Sequence, residues 1–109
     1  MTSEVTTARR GRVLEIVLDR PPANAINKAT TDALFEAFRT LAEDDGLRVG
    51  LITGAGEKIF SAGWDLKEVA AAASSTEVAE EALASPGGFA GITEYWDLTK
   101  PVICAVNAQ

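Results

Sequence analysis

The residues of this chain best suited to chemistry lie in Phe60-Ser61-Ala62-Gly63-Trp64-Asp65-Leu66-Lys67. Gly63 permits a backbone conformation that other residues resist, and the residues after it read as the opening of a helix. The first N–H groups of a helix lack intrahelical partners, and the helix dipole reinforces them. Such a loop can therefore hold an anion or a developing oxyanion. Many loops enter helices this way for structural reasons alone. On that plainer reading Asp65 and Glu68 are solvated first-turn acids favoured by the dipole, and Trp64 is a core aromatic.

Much other chemistry is excluded. The sequence has no histidine, so it can build no Ser-His-Asp or Cys-His nucleophile and no HExxH zinc site. No metal site is expected. Its one cysteine, Cys104, allows no internal disulfide, which points to a reducing cytoplasm. Set within Val102-Ile103-Cys104-Ala105-Val106, that thiol reads as buried and structural. Ten basic and sixteen acidic residues, scattered along the chain, give a net charge of −6 and disfavour a nucleic-acid surface. No run approaches the roughly 18 apolar residues of a membrane span, and the N-terminus lacks the apolar segment of a secretory signal.

One modest domain fits 109 residues that are 47% hydrophobic, and its elements must position the loop. Residues 1–11 read as a flexible lead-in and 12–109 as the domain. From Arg12 to Asp19, Leu14, Ile16 and Leu18 alternate with Val13, Glu15 and Val17, the pattern of a strand that Pro21-Pro22 ends. Asn27 is placed to cap a helix from Lys28 to about Asp44, whose Leu34, Ala37, Phe38 and Leu41 share one face. Leu47–Thr53 reads as a second strand, buried on both faces. Gly54-Ala55-Gly56 follows it, but the third glycine of a dinucleotide motif would fall at Ile59, so a tight turn is the better account.

Ser74-Ser75-Thr76-Glu77 resembles a capping box for a weak helix reaching Leu83. Phe89, Ile92 and Trp96 fall at helical spacing, and Val102–Val106 reads as a last strand. Strands alternating with helices imply an α/β domain with a largely parallel sheet. Such a domain would ordinarily cover that last strand with a further helix, so the sequence reads as truncated.

Five segments, in order and at matching spacing, resemble the crotonase (enoyl-CoA hydratase/isomerase) superfamily. They are Arg20-Pro21, Asn24-Ala25-Ile26-Asn27, Thr53-Gly54-Ala55-Gly56-Glu57-Lys58, the Phe60–Lys67 loop, and Lys100-Pro101-Val102-Ile103. The stretch Gly54–Lys67, which contains the loop, and Gly87-Gly88-Phe89-Ala90-Gly91-Ile92-Thr93-Glu94 are similar, more narrowly, to the carnitinyl-CoA dehydratase branch. The resemblance implies the N-terminal part of a crotonase fold, a repeated ββα spiral. It also implies an acyl-CoA thioester as ligand, with no cofactor beyond the coenzyme A the substrate carries, and a homo-oligomer, trimer or hexamer, in the cytoplasm.

By the same resemblance the backbone N–H of Trp64 is one donor of the oxyanion hole that holds the thioester carbonyl as it becomes an enolate. Ala25, Ala62, Gly63, Asp65 and Leu66 would line the coenzyme, and Lys28 or Lys67 would meet its phosphates. Losing one oxyanion donor costs about 3 kcal/mol of transition-state stabilisation. The family's second donor and its catalytic glutamates follow the last strand, where this chain reads Val106-Asn107-Ala108-Gln109. Glu57, Glu68, Glu94 and Asp97 occupy none of those positions and read as surface acids. The implied reaction interconverts a 3-hydroxyacyl-CoA and a 2-enoyl-CoA plus water. Isomerase or hydrolase chemistry, or a non-catalytic chain that at most binds CoA esters, fits the same residues. The Trp64 ring could also attract the quaternary ammonium of a carnitinyl substrate, with Tyr95 and Trp96 as weaker candidates.

Overall fold

In the computed structural model, which describes residues 4–72 and 86–107, a four-stranded sheet carries the chain. Its order is β1 (Val5–Arg10), β2 (Val13–Leu18), β4 (Val49–Gly54) and β6 (Val102–Ala105). β1 runs antiparallel to β2, while β2, β4 and β6 are mutually parallel. A two-stranded parallel ladder, β3 (Ala25–Ile26) with β5 (Gly63–Trp64), stands apart from it.

The alternation read from the sequence sets the core. Leu14, Ile16 and Leu18 are buried on one face of β2, where they meet Leu34, Ala37, Phe38 and Leu41 of α1 (Lys28–Glu43). Asn27 caps α1 as expected, its side-chain oxygen accepting from the Thr30 N–H at 2.8 Å. At the other end the Lys100 ammonium, far along the chain, donates to the Leu41 and Asp44 carbonyls at 2.7 Å each. A helix end leaves its last carbonyls, such as that of Leu41, without intrahelical partners, the Asp44 carbonyl also accepts from the Leu47 N–H at 3.0 Å, and a cation there complements the dipole.

Four expectations are corrected. Residues 5–10 are not a loose lead-in but an edge strand paired residue for residue with β2. Only Val5 of that strand is buried, so Val-Thr-Thr-Ala-Arg-Arg carries no apolar alternation to announce it. β4 is not buried on both faces: Gly50 and Gly54 are buried, but the residues between them are only partly covered. The Gly50 site is closed by Leu41, so glycine lets α1 approach the sheet.

The segment around Phe89 forms a short 3-10 turn, Phe89–Gly91, with positive φ at Ala90 and Gly91, rather than a helix. A side chain at Gly91 would collide with the Phe35 backbone; this close approach to α1 fixes the turn. Trp96 is 82% exposed, whereas Phe89 and Ile92 pack on the core. Finally, Cys104 is exposed rather than buried: among the described residues β6 pairs with β4 alone, and Ile103 and Cys104, which point to opposite faces of the strand, are both exposed. The helix expected from Ser74 to Leu83 lies outside the described residues.

Candidate functional site

The β3–β5 ladder brings the residues singled out by sequence to one place. Ala25 is in register with Gly63, and Ile26 with Trp64. Gly63 has φ of +86°, and its N–H donates to Ser61 Oγ at 3.1 Å. Ser61 Oγ in turn donates to the Asn24 carbonyl at 2.8 Å. The Asp65 N–H donates to the Ile26 carbonyl at 2.9 Å. In a parallel pair a residue bonds the neighbours of the residue opposite it, so this bond turns the Trp64 N–H away from β3.

Helix α2 (Leu66–Ala72) begins just after Asp65, close to the start near Trp64 that the sequence suggested. Asp65 Oδ1 accepts from the Lys67 N–H at 2.9 Å and from the Glu68 N–H at 3.4 Å. Two of the first-turn donors expected to be free for an anion are thus capped by the chain itself. Asp65 is therefore no idle solvated acid. Its other oxygen pairs with Arg20 Nη2 at 2.8 Å, and the Arg20 hydrogen bond holds the Asp65 carboxyl below its ordinary value, against the opposing effect of burial. Glu68 is engaged too: its Oε1 accepts from the Lys28 N–H at 2.8 Å.

A groove of 440 Å³ runs beside this ladder. Ala25, Ala62, Trp64, Asp65, Leu66 and Lys67 line it, together with Arg20 and the Pro21–Ala23 turn. Gly63 instead lines an apolar cavity of 280 Å³ formed with Leu18, Ile26, Phe38, Phe60 and Phe89 among others. Lys28 lines neither; its ammonium pairs with Asp32 at 2.9 Å. Lys67 makes no ion pair among the described residues. The Trp64 ring lies 4.4 Å from that of Phe89, tilted by 39°.

Sequence reasoning quoted Arg20 and Asn24 only as parts of motifs and passed over Ser61 as a positioning group. Asn24 is buried with φ of +50°. Its Oδ1 accepts from the Arg20 N–H at 2.8 Å, and its Nδ2 donates to the carbonyls of Ala55, Ile59 and Phe60 at 3.1–3.2 Å. The available signal was a short amide side chain just after Pro21-Pro22, since asparagine tolerates positive φ and bonds nearby backbone.

The sequence model described as enoyl-CoA hydratase/isomerase matches residues 8–109. The chain belongs to that family. It is 56% identical over 107 residues to a carnitinyl-CoA dehydratase of Salmonella arizonae and 55% identical to one of Salmonella paratyphi B. These alignments cover 98% of this chain and 39% of each relative. Its fold superimposes on a carnitinyl-CoA hydratase from Mycobacterium avium with a TM-score of 0.81 at 36% identity, over 99% of this chain and 40% of that one. The match to an enoyl-CoA hydratase from Mycobacterium tuberculosis has a TM-score of 0.76 at 38% identity, over 94% and 37% of the two chains. The crotonase fold and its N-terminal portion, as expected from the motifs, are therefore established. Among the described residues no helix is long and apolar enough to cross a membrane.

Proposed function

We propose that this chain supplies the thioester-binding half of an acyl-CoA hydratase/dehydratase site, of the carnitinyl-CoA dehydratase kind. The observation that carries the reading is the position of Gly63-Trp64 between a groove that carries the charged side chains Arg20, Asp65 and Lys67 and a cavity that carries none. The cavity is lined almost wholly by apolar side chains. A CoA ester has the same two-part character, with a polar coenzyme, an apolar acyl group and the thioester between them. The Trp64 N–H, turned from β3, would donate to that carbonyl, and a donor fixed in advance stabilises the enolate without reorganising. Lys67 would meet a phosphate of the coenzyme; the engagement of Lys28 with Asp32 leaves it the lesser candidate.

The reaction so served is loss of water from a 3-hydroxyacyl-CoA, or its reverse, in a cytoplasmic homo-oligomer. Glu57, Glu68, Glu94 and Asp97 do not stand where the family carries its catalytic carboxylates, so the 109 residues alone would bind thioester and turn over none. Titrating the isotope-labelled chain with crotonyl-CoA tests this. The Trp64 amide resonance is expected to move with crotonyl-CoA and to move far less with free coenzyme A. No displacement at Trp64 with saturating crotonyl-CoA would refute the reading, and enzyme-like turnover would refute the inactivity of the isolated chain.

A second reading concerns specificity. The Trp64–Phe89 ring pair would present an aromatic wall to a quaternary ammonium on the acyl group.

A further inference from the structure

We infer that Arg20 is a positioning residue for the Trp64 donor, its guanidinium bridging β3 and the residue that follows β5 so that the Trp64 peptide keeps one orientation toward the groove. The inference rests on the proposed role of the Trp64 N–H. Arg20 Nη1 donates to the Ala25 carbonyl at 2.9 Å, and Nη2 pairs with Asp65 at 2.8 Å. Nε faces Glu4 at 3.4 Å. Ala25 is the residue in register with Gly63, so one planar fork holds the strand opposite the loop glycine and the residue just past Trp64.

The other side of the Trp64 peptide is already fixed, with the Gly63 N–H on Ser61 Oγ and that hydroxyl on the Asn24 carbonyl. The Arg20 N–H is itself tied to Asn24 Oδ1. Both flanks of Trp64 thus lead back to the Arg20–Asn24 turn. The side chain of Arg20 also lines the groove, which raises the competing reading of a direct contact to a coenzyme phosphate. Its charge, however, is shared between Asp65 and Glu4, and the Asp65 side chain is only 14% exposed. The uncommitted cation of the groove is Lys67. Lysine could not replace Arg20 in this role, because a single ammonium lacks the rigid fork that reaches two partners at once.

Amide spectra of the free chain test the clamp without any ligand. Arg20→Lys and Arg20→Gln should both displace the Trp64 and Asp65 amide resonances and speed amide exchange at Trp64 several-fold, while Ile16 and Ile52 in the main sheet stay unmoved. In the unmodified chain the Trp64 amide should shift in step with protonation of the Asp65 carboxyl. The charged groups near that carboxyl are Arg20, Glu4 beyond it, and Lys67 and Glu68 on the helix that Asp65 caps. That link should weaken in Arg20→Lys, whereas the mere adjacency of Asp65 to Trp64 would leave it unchanged. Should Arg20→Gln fail to fold, Arg20→Lys and the acid titration of the unmodified chain still decide. An unmoved Trp64 amide, or full restoration by lysine, would overturn the clamp. A clamp seen in the free chain with no response to crotonyl-CoA would instead overturn the donor role of Trp64 and leave the clamp standing.

Discussion

Glu68, in the helix after the loop, accepts a hydrogen bond from the backbone N–H of Lys28, the first residue of the helix before it, at 2.8 Å. Forty residues apart in sequence, the two helix starts are tied at one point beside the β3–β5 ladder. Asn27 serves the Thr30 N–H of α1, and Glu68 serves a different donor of the same turn. A carboxylate at a helix N-terminus is favoured by the dipole as well as by the bond. Glu68→Ala should therefore destabilise the fold by about 1 kcal/mol, the usual cost of losing a cap. Glu68→Gln, which keeps an acceptor, should cost less, and urea midpoints at constant slope would measure both.

Asn24 concentrates more of the fold in one side chain. Its amide is the donor that three loop carbonyls share, and it is buried. Asn24→Ala should cost about 2–4 kcal/mol, since buried acceptors would lose their partner and a non-glycine φ of +50° would remain. Asn24→Asp should cost more, because it would turn a carboxylate toward carbonyl oxygens. Denaturant unfolding would rank the two, and an aspartate variant as stable as the parent would contradict the assignment of Nδ2 to those carbonyls.

Acid should weaken the fold through two aspartates. The Arg9 hydrogen bond, then the Gly46 N–H, hold Asp44 below its ordinary value, as Arg20 does for Asp65. A carboxyl whose folded pKa is depressed binds its proton more readily when unfolded. Its contribution is whole above the unfolded aspartate value, about 3.9, and is lost as pH falls toward the lower folded value. Melting temperature should thus fall as pH drops below about 4, and the fall should be shallower in Asp44→Asn and Asp65→Asn. Because Asp44 is partly exposed, added salt should mute its share.

The parts of this architecture that could be read in the sequence are those with strict periodicity. Leu14, Ile16 and Leu18 gave β2, and Leu34, Phe38 and Leu41 gave α1, because burial on one face imposes a period the eye can count. β1 escaped notice because an exposed edge strand imposes no such period. The segment after Phe89 misled because three apolar residues kept helical spacing while Ala90 and Gly91 took positive φ to pass close to Phe35. At the site, resemblance located Trp64, but what holds it could not be counted from spacing. Arg20, Asn24, Ser61 and Asp65 meet across up to 45 residues of chain, through bonds that a pattern of polarity does not encode.

Trp64 offers the last test, of its ring rather than its N–H. The donor is a backbone group, so Trp64→Leu should keep it while removing the indole that lies 4.4 Å from Phe89. If the ring pair meets a quaternary ammonium, the variant should lose affinity for crotonobetainyl-CoA by about 0.5–2 kcal/mol more than for crotonyl-CoA, a ratio of roughly 2- to 30-fold. Phe89→Leu should reproduce part of that selective loss. Calorimetric titration of both esters into both variants would separate this from packing: loss of the indole as core filler weakens the two ligands alike, and only a cation contact divides them.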